Sequence, residues 1–291
     1  MQLITGKTKL LGVIGDPVEH SFSPVMHNAA IAELNLDYVY LPLPVKAKDL
    51  ERAIAGFEAI GLVGFSVTIP HKQTILPLLS EIAPNAELVG AVNTVWRTER
   101  GWKGTNTDVE GFLAPLRTTL RLRDWSQVIP VILGNGGAAR AVVAGLLRLG
   151  CSKIHVVGRD RDKLDLFKQN WADSYLELDL KVHIWSELSG LVSETNLLVN
   201  TTPVGMYPFV DKSPVEEELM EKLPKGAIVY DLIYNPRPTE FLKIGEKVGA
   251  IAIDGLEMLV QQGAAALQIW LQQPVPVDVM RRSLLEHLGL N

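Results

Sequence analysis

The stretch Val128–Ala139, VIPVILGNGGAA, decides the fold of this chain. An apolar run typical of a buried strand leads into a turn that fits GxGxxG/A, with Gly134, Gly136 and Ala139 at the small positions. The first glycine permits a tight turn, the second lets the backbone approach a pyrophosphate, and the third small residue lets a helix pack on the strand. Phosphates would then lie at the helix N-terminus. Alone, the pattern is also that of a plain glycine-rich turn, but the strand before it and the helix after it favour a dinucleotide site.

Working outward from this turn, short apolar runs alternate with segments of helical period, which predicts an α/β fold. We predict two domains, with boundaries near Asp108 and Gly255. The first is an N-terminal α/β domain, residues 1–108, completed by C-terminal helices in 256–291. The second, residues 109–255, is a Rossmann-type doubly wound domain. Predicted strands are 10–14, 38–43, 64–69, 91–97, 102–105, 128–133, 154–157, 196–199, 227–232 and 250–253, with a hairpin turn at Arg100-Gly101. Predicted helices are 24–34, 47–60, 72–79, 109–122, 137–149 and 256–271.

The composition limits the class of partner. The chain has 291 residues and a formal net charge of −5, so it lacks the basic excess that a nucleic-acid binder uses to replace phosphate counterions. Its apolar stretches are shorter than the roughly 18 to 20 residues of a membrane span, and no signal-peptide core is evident. The single cysteine, Cys151, reads as a small buried apolar side chain. We therefore expect a cytoplasmic protein with a small-molecule partner, and a homodimer stays open.

The strand after the glycine turn ends in the charged run VGRDRDK, residues 157–163. An NAD enzyme usually offers an acidic residue there, to hydrogen-bond the adenosine ribose. Here Arg159, and Lys163 on the next turn, could clamp a 2′-phosphate, which predicts NADP. Asp160 is close enough to leave NAD open. A solvated charge run opening a helix is the alternative for Asp160, Arg161 and Asp162.

Two hydroxyls follow the first strand, in the segment GDPVEHSFSP, residues 15–24. Ser23 before Pro24 predicts a helix N-cap with proline at the first helical position. That cap is one complete explanation of Ser23. Ser21 and Ser23 beside free helix N–H groups would also suit a carboxylate. The histidines nearby and in the next motif lack metal-ligand spacing, so no metal site is predicted.

A lysine and an aspartate are the candidate acid/base pair. Lys72 opens a predicted helix, where the helix dipole opposes its charge and would favour loss of its proton for proton transfer. A surface lysine is the alternative. Asp108 precedes another predicted helix and could be only an N-cap, but it also lies at the predicted domain junction. The two side chains meeting in a cleft would form an acid/base pair with an orienting group.

Several ordered motifs together resemble the shikimate dehydrogenase family over nearly the whole chain. They are GVIGDPVEHSFSPVMHN (12–28), VTIPHK (67–72), GAVNT (90–94), NTD (106–108), GNGGAAR (134–140), NTTPVGM (200–206), YDLIYNP (230–236) and DGLEMLVQQGA (254–264).

This resemblance implies an NADPH-dependent, reversible reduction of 3-dehydroshikimate to shikimate in aromatic amino acid biosynthesis, with Lys72 and Asp108 as the catalytic pair. The implied substrate residues are Ser21, Ser23, Thr68, Asn93, Tyr234 and Gln262. The implied cofactor residues are Gly134, Asn135, Gly136, Gly137, Ala138, Arg159, Lys163, Leu232 and Gly255.

Three residues depart from the family pattern. Ser66 stands where the family usually has asparagine, which should shorten a hydrogen-bond reach to substrate or Lys72. Gly158 replaces a frequent asparagine, and Asp160 replaces a common threonine, so the cofactor preference is less secure than the reaction. Two rivals stay open: a quinate/shikimate dehydrogenase that uses NAD, and a catalytically silent NADP-binding regulator. The regulator would lose the acid/base pair, whereas Lys72 and Asp108 are both present.

Overall fold

The computed structural model describes residues 3–119, 124–172 and 178–290. The chain forms two compact units, one of residues 1–111 with 259–291 and one of residues 112–258. The domain boundaries expected from the sequence lie a few residues before these limits. Among the described residues, no helix combines the length and the apolar character needed to cross a membrane.

The first unit contains a mixed six-stranded sheet with the strand order β2-β1-β3-β5-β6-β4. Its strands are β1 (Lys9–Gly15), β2 (Tyr38–Pro44), β3 (Gly64–Val67), β4 (Glu81–Ile82), β5 (Thr94–Thr98) and β6 (Gly101–Thr105). β1 runs parallel to β2 and β3, whereas β5 is antiparallel to both β3 and β6. The predicted hairpin at Arg100-Gly101 is therefore confirmed.

Helices and apolar side chains complete this unit. The helices are α1 (Ser23–Glu33), α2 (Leu50–Ala59), α3 (His71–Thr74), α4 (Pro84–Val89) and α11 (Val277–His287), with the first part of α5 (Asp108–Thr119) and most of α10 (Leu256–Leu271). Phe57, Phe65, Val95 and Trp102 are buried together in its core. The Trp270 indole N–H of α10 donates to the Val95 carbonyl at 2.9 Å, which ties that helix to the sheet.

The second unit contains a fully parallel six-stranded sheet with the order β12-β11-β10-β7-β8-β9. Its strands are β7 (Pro130–Leu133), β8 (Lys153–Gly158), β9 (Asp179–Ile184), β10 (Leu197–Asn200), β11 (Ile228–Asp231) and β12 (Ile251–Ile253). Its helices include α6 (Gly137–Leu149), α7 (Arg161–Ala172), α8 (Glu217–Met220) and α9 (Glu240–Lys247). The order reverses between β7 and β10, which is the doubly wound arrangement with its ligand site at the carboxyl ends of these strands. The predicted α/β class and Rossmann-type architecture are confirmed.

Several element predictions differ from the structure. The predicted helix 72–79 is the single turn α3 followed by a 3₁₀ turn at Leu76–Leu78, because Pro77 has no N–H to donate. The predicted helix 47–60 begins as a 3₁₀ turn at Ala47–Asp49. Residues 120–122 of the predicted helix 109–122 lie outside the described residues. The elements β4, β9, α4, α8, α9 and α11 were not predicted individually, and α7 was expected only as a helix opening after the charged run.

Candidate active site

Lys72 and Asp108 form a partly buried ion pair in the first unit. The Lys72 ammonium Nζ lies 2.5 Å from Asp108 Oδ2, with side chains 18% and 7% exposed. Lys72 is on the one-turn helix α3, and Asp108 is the first residue of α5. A charge so little exposed needs a partner, because water screens it poorly. The charge of Lys72 is therefore compensated by Asp108, and the surface alternative for this lysine does not hold.

Asn93 holds the other oxygen of the same carboxylate. Its amide Nδ2 donates to Asp108 Oδ1 at 2.8 Å and to the Thr107 hydroxyl at 2.9 Å, and its Oδ1 accepts from the Thr107 backbone N–H at 2.7 Å. Gln262 on α10 joins this network through its Oε1, 3.4 Å from Asn93 Nδ2. Both Asp108 oxygens thus have partners, which restricts the direction of the carboxylate.

Asn106, rather than Asp108, supplies the side-chain oxygen for this helix start. Asn106 Oδ1 accepts the Asp108 backbone N–H at 3.0 Å, and its amide donates to the Ala91 carbonyl at 3.0 Å. The N-cap alternative for Asp108 is therefore wrong, and its carboxylate is left for Lys72 and Asn93. The roles of Asn106 and Thr107 were missed at the sequence level, although both stand beside Asp108 in the NTD motif.

The start of α1 differs from the prediction. Ser23 is not the N-cap: it is the first helical residue and Pro24 the second, because Phe22 already has φ −87° and ψ 0° and the chain turns one residue earlier. The Ser21 hydroxyl accepts the Ser23 backbone N–H at 3.3 Å. Ser21 is half-buried and Ser23 buried, so two hydroxyls do lie at the helix start.

Thr68 is half-buried and follows β3, with its backbone N–H donating to the Ile14 carbonyl at 2.9 Å. Tyr234, also half-buried, follows β11 in the second unit. Their substrate roles stay predictions.

The glycine turn in the second unit requires glycine at its first position and leaves open space at its second. Gly134 has φ +105°, and a Cβ there would lie 2.6 Å from the Thr201 hydroxyl, so both backbone angle and space demand glycine. Gly136 caps α6, and a Cβ on it would meet no atom within 4 Å. The open space beside Gly136, at the N-terminus of a 13-residue helix, leaves room for a ligand phosphate.

In the charged run after β8, Asp160 has hydrogen-bond partners, whereas Arg159 has none among the described residues. Asp160 Oδ1 accepts the Lys163 backbone N–H at 3.2 Å, and this bond is the main cause that lowers the pKa of Asp160. Lys163 Nζ also lies 3.6 Å from Asp160 Oδ2. Arg159 is exposed and makes no hydrogen bond or ion pair with any described residue. Asp160 is thus engaged at the start of α7, while the Arg159 guanidinium is available to an anion.

A buried carboxylate joins the ends of β10 and β11. Asp231 accepts from the Asn200 amide at 3.0 Å, the Thr239 hydroxyl at 2.7 Å and the Ile233 N–H at 3.1 Å, and burial raises its pKa to about 6. Leu232 follows directly, and a Cβ on Gly255 would lie 2.1 Å from the Leu232 carbonyl oxygen. Gly255 is thus required by close backbone approach.

Across the part of the chain that the structure describes, no three His, Cys, Asp or Glu side chains are grouped to hold a metal. His27 is buried, with Nδ1–H donating to the Ser23 carbonyl at 2.8 Å, and burial lowers its pKa to about 4. It acts as a neutral packing residue.

Comparisons with known proteins agree with this geometry. A family model for the shikimate dehydrogenase substrate binding domain matches residues 13–95, and one for the shikimate 5'-dehydrogenase C-terminal domain matches residues 255–285. A protein of Gloeothece citriformis named shikimate dehydrogenase (NADP(+)) is 65% identical over 290 residues, covering 100% of both chains.

Two solved structures are also similar. A shikimate dehydrogenase in complex with NADP⁺ has a TM-score of 0.85 at 37% identity, covering 98% of each chain. A shikimate 5-dehydrogenase of Listeria monocytogenes, in complex with shikimate and NAD, has a TM-score of 0.85 at 33% identity, covering 98% of this chain and 99% of that one. The chain therefore belongs to the shikimate dehydrogenase family.

Proposed function

We propose that this chain is an NADP-dependent shikimate dehydrogenase, which reversibly reduces 3-dehydroshikimate to shikimate in aromatic amino acid biosynthesis. The observation that carries the proposal is the Lys72–Asp108 pair, fixed by Asn93 in a chain that also has the glycine turn of a dinucleotide site. The high identity to proteins of that name supports the same substrate. A silent regulator would have no need of a buried, oriented acid/base pair.

The residues of the second unit fit NADP. The glycine turn Gly134–Ala138 would hold the pyrophosphate, since Gly136 leaves open space at the start of α6. Arg159, which has no partner among the described residues, would hold the 2′-phosphate, with Lys163 beside it. Leu232 and Gly255 would contribute further contacts. When bound, NADPH supplies the hydride for the ring carbonyl carbon.

Residues of the first unit would transfer the proton and orient the substrate. Lys72, as the ammonium, would donate a proton to the ring oxygen as negative charge develops there. Asp108 would hold the lysine and a substrate hydroxyl in line, while Asn93 keeps the carboxylate from rotating. In the oxidation direction, Lys72 as the neutral amine would take the proton from the substrate hydroxyl.

The remaining predicted residues would recognise the acid. Ser21 and Ser23, at the start of α1, would bind the substrate carboxylate where helix N–H groups favour negative charge. We assign Thr68, Gln262 and Tyr234 to the substrate as the family resemblance implies. Gln262 has a supporting contact, since its amide already joins the Asn93 network.

The test is a spectrophotometric assay of the purified protein with shikimate and NADP⁺, which follows NADPH formation. We expect activity with this pair and a lower kcat/KM with NAD⁺ or quinate. No oxidation of shikimate with either cofactor would reject the function. Equal or better use of NAD⁺ and quinate would favour the second candidate, a quinate/shikimate dehydrogenase.

We also propose a cytoplasmic location, supported by the acidic net charge and single cysteine of the sequence. A homodimer stays a prediction, which light scattering of the purified protein would test.

A further inference from the structure

Three buried hydroxyls, those of Tyr40, Ser66 and Ser23, are hydrogen-bonded to one another in the first unit. Tyr40 on β2 is almost fully buried, and its hydroxyl donates to the Ser66 hydroxyl on β3 at 2.8 Å. The Tyr40 oxygen also accepts a hydrogen bond from the hydroxyl of Ser23, one of the two serines at the start of α1. Tyr40 therefore links a predicted substrate residue, Ser23, to Ser66, the residue that departs from the family pattern.

The tyrosine is fixed in place and stays protonated. Burial raises the pKa of Tyr40 well above its ordinary value, and its hydrogen bonds with Ser66 and Ser23 offset only part of this rise. The His27 ring stacks on the Tyr40 ring, with centroids 4.1 Å apart and 9° between the planes. His27 is itself hydrogen-bonded to the Ser23 carbonyl, so the ring and the hydroxyl of Tyr40 both contact groups that are held in place.

In this arrangement the hydroxyl hydrogen of Ser66 is not donated to any described residue. The Ser66 oxygen accepts from Tyr40, and its own O–H has no acceptor among the described residues. Ser66 is 8% exposed, so the hydroxyl is nearly desolvated. A hydroxyl in such surroundings donates to whatever acceptor a ligand brings. Ser66 and Thr68 are two residues apart in an extended segment, so they share one face of it.

We infer that Tyr40 is a positioning residue for substrate recognition: its hydroxyl holds Ser66 as a hydrogen-bond donor, so that Ser66 binds the substrate carboxylate beside the start of α1. The pair Tyr40–Ser66 thereby replaces the longer asparagine side chain that the family pattern has at this position. The inference rests on the proposed function, since it assigns part of the shikimate site.

The test is the variant Tyr40→Phe, which keeps the ring that stacks on His27 and removes only the hydroxyl. We expect KM for shikimate to rise about tenfold, the size of one lost hydrogen bond to a charged group, while kcat changes less than about twofold. The Kd for NADP⁺ should stay unchanged. The matched control is Tyr38→Phe on the same strand, whose hydroxyl accepts from the surface residue Lys9 and whose loss should change neither constant.

A double-mutant cycle separates positioning from a structural role. Ser66→Ala alone should raise KM as Tyr40→Phe does, and adding Tyr40→Phe to it should have less than about a twofold further effect. A shikimate analogue without the carboxylate should bind the wild type and both variants equally well. These results would support the inference.

Other outcomes overturn it. An unchanged KM in Tyr40→Phe does so, whether or not the melting temperature falls, and so do fully additive effects of the two substitutions. If Tyr40→Phe fails to fold, wild-type affinity for shikimate in Ser66→Ala rejects the inference by itself. A wild type that does not oxidise shikimate is a different failure, because it rejects the proposed function.

Discussion

Lys72 and Asp108 form an ion pair in which both side chains are largely removed from water. Asn93 and Asn106 fix only the aspartate, through its side chain and its backbone N–H. The Lys72 ammonium, by contrast, has Asp108 as its one hydrogen-bond partner among the described residues. Such an arrangement suits a proton donor that must reach a substrate oxygen while its counter-ion stays in place.

We predict that Lys72→Ala lowers kcat by roughly 10² to 10⁴, the usual range for a lost general acid/base. The Kd for NADP⁺, measured by fluorescence titration, should be nearly unchanged because the cofactor residues belong to the second unit. Lys48→Ala, at an exposed position, is the matched control and should keep wild-type kcat. Near-normal turnover in Lys72→Ala would remove this lysine from the mechanism.

Arg159 carries the cofactor preference in this proposal. Arg159→Ala should reduce the ratio of kcat/KM for NADP⁺ over NAD⁺ by roughly ten- to a hundredfold, since a charge-assisted bond to the 2′-phosphate is worth about 1.5 to 3 kcal/mol. Arg161→Ala is the control, because that side chain pairs with Asp165 at 3.5 Å. An unchanged ratio in Arg159→Ala would mean that another group meets the ribose.

For single residues, motif matching identifies Lys72, Asp108 and Asn93 as site residues but does not show how their side chains contact one another. Tyr40 and Ser66 are 26 residues apart, and their hydrogen bond depends on both β2 and β3 pairing with β1 in a particular register. Nothing in the local sequence encodes that register. The free Arg159 and the engaged Asp160 could likewise not be distinguished before the start of α7 was known.

Among the elements, the glycine turn and the start of α6 form the proposed pyrophosphate site. We predict that Gly136→Ala leaves the melting temperature within about 1 °C, because φ is −86° and the added Cβ meets no protein atom. The same Cβ would occupy the space predicted for the pyrophosphate, so the Kd for NADP⁺ should rise at least about tenfold.

Gly56→Ala on α2 is the matched control for that variant, since its Cβ also meets open space. It should be slightly stabilising, by about 0.5–1 kcal/mol, and should not change the Kd for NADP⁺. Wild-type cofactor affinity in Gly136→Ala would show that the pyrophosphate does not approach this glycine.

The elements with a strong local signal were predicted well. The predicted bounds of α6 and α10 agree with the structure, because a glycine turn or a long apolar period marks them. β9, by contrast, has the mixed sequence DLKVHI on the sheet edge, and β4 has two residues, so neither produces a clear period. The early start of α1 at Ser23 depends on the backbone angles of Phe22, which the Ser-Pro pattern does not report.

For the whole molecule, buried titratable groups make opposing contributions to stability against pH. Burial lowers the pKa of His27 to about 4 and that of His155 to about 4, so for these groups the unfolded chain binds more protons between pH 4 and 6.5. Their contributions to the free energy of unfolding therefore rise with pH in that window. Asp231 acts in the opposite direction, because burial raises its pKa from 3.8 to about 6. A curve of wild-type stability against pH sums these opposing contributions, so it does not resolve the contribution of any one group.

The variant Asp231→Asn isolates the aspartate. In the wild type, Asp231 binds more protons in the folded protein than in the unfolded chain between pH 4 and 6. The contribution of Asp231 to the free energy of unfolding therefore falls as pH rises through this range, and the loss of about 3 kcal/mol is complete above pH 6. Asparagine keeps an oxygen for the Asn200 amide and the Ile233 N–H, and it cannot ionise. The asparagine amide places an N–H donor where the carboxylate oxygen accepted from the Thr239 hydroxyl. The resulting loss of stability is the same at every pH.

We therefore expect the difference in the free energy of unfolding, Asp231→Asn minus wild type, to be about 2 kcal/mol more favourable at pH 8 than at pH 4.5. Urea unfolding at the two pH values measures it, and the histidine contributions cancel because both proteins share them. Asp165→Asn, a half-exposed carboxylate on α7, is the control and should show a difference that hardly depends on pH. If Asp231→Asn gives the same difference at both pH values, the buried carboxylate titrates normally, and its hydrogen bonds with Asn200, Thr239 and Ile233 fully offset the loss of hydration.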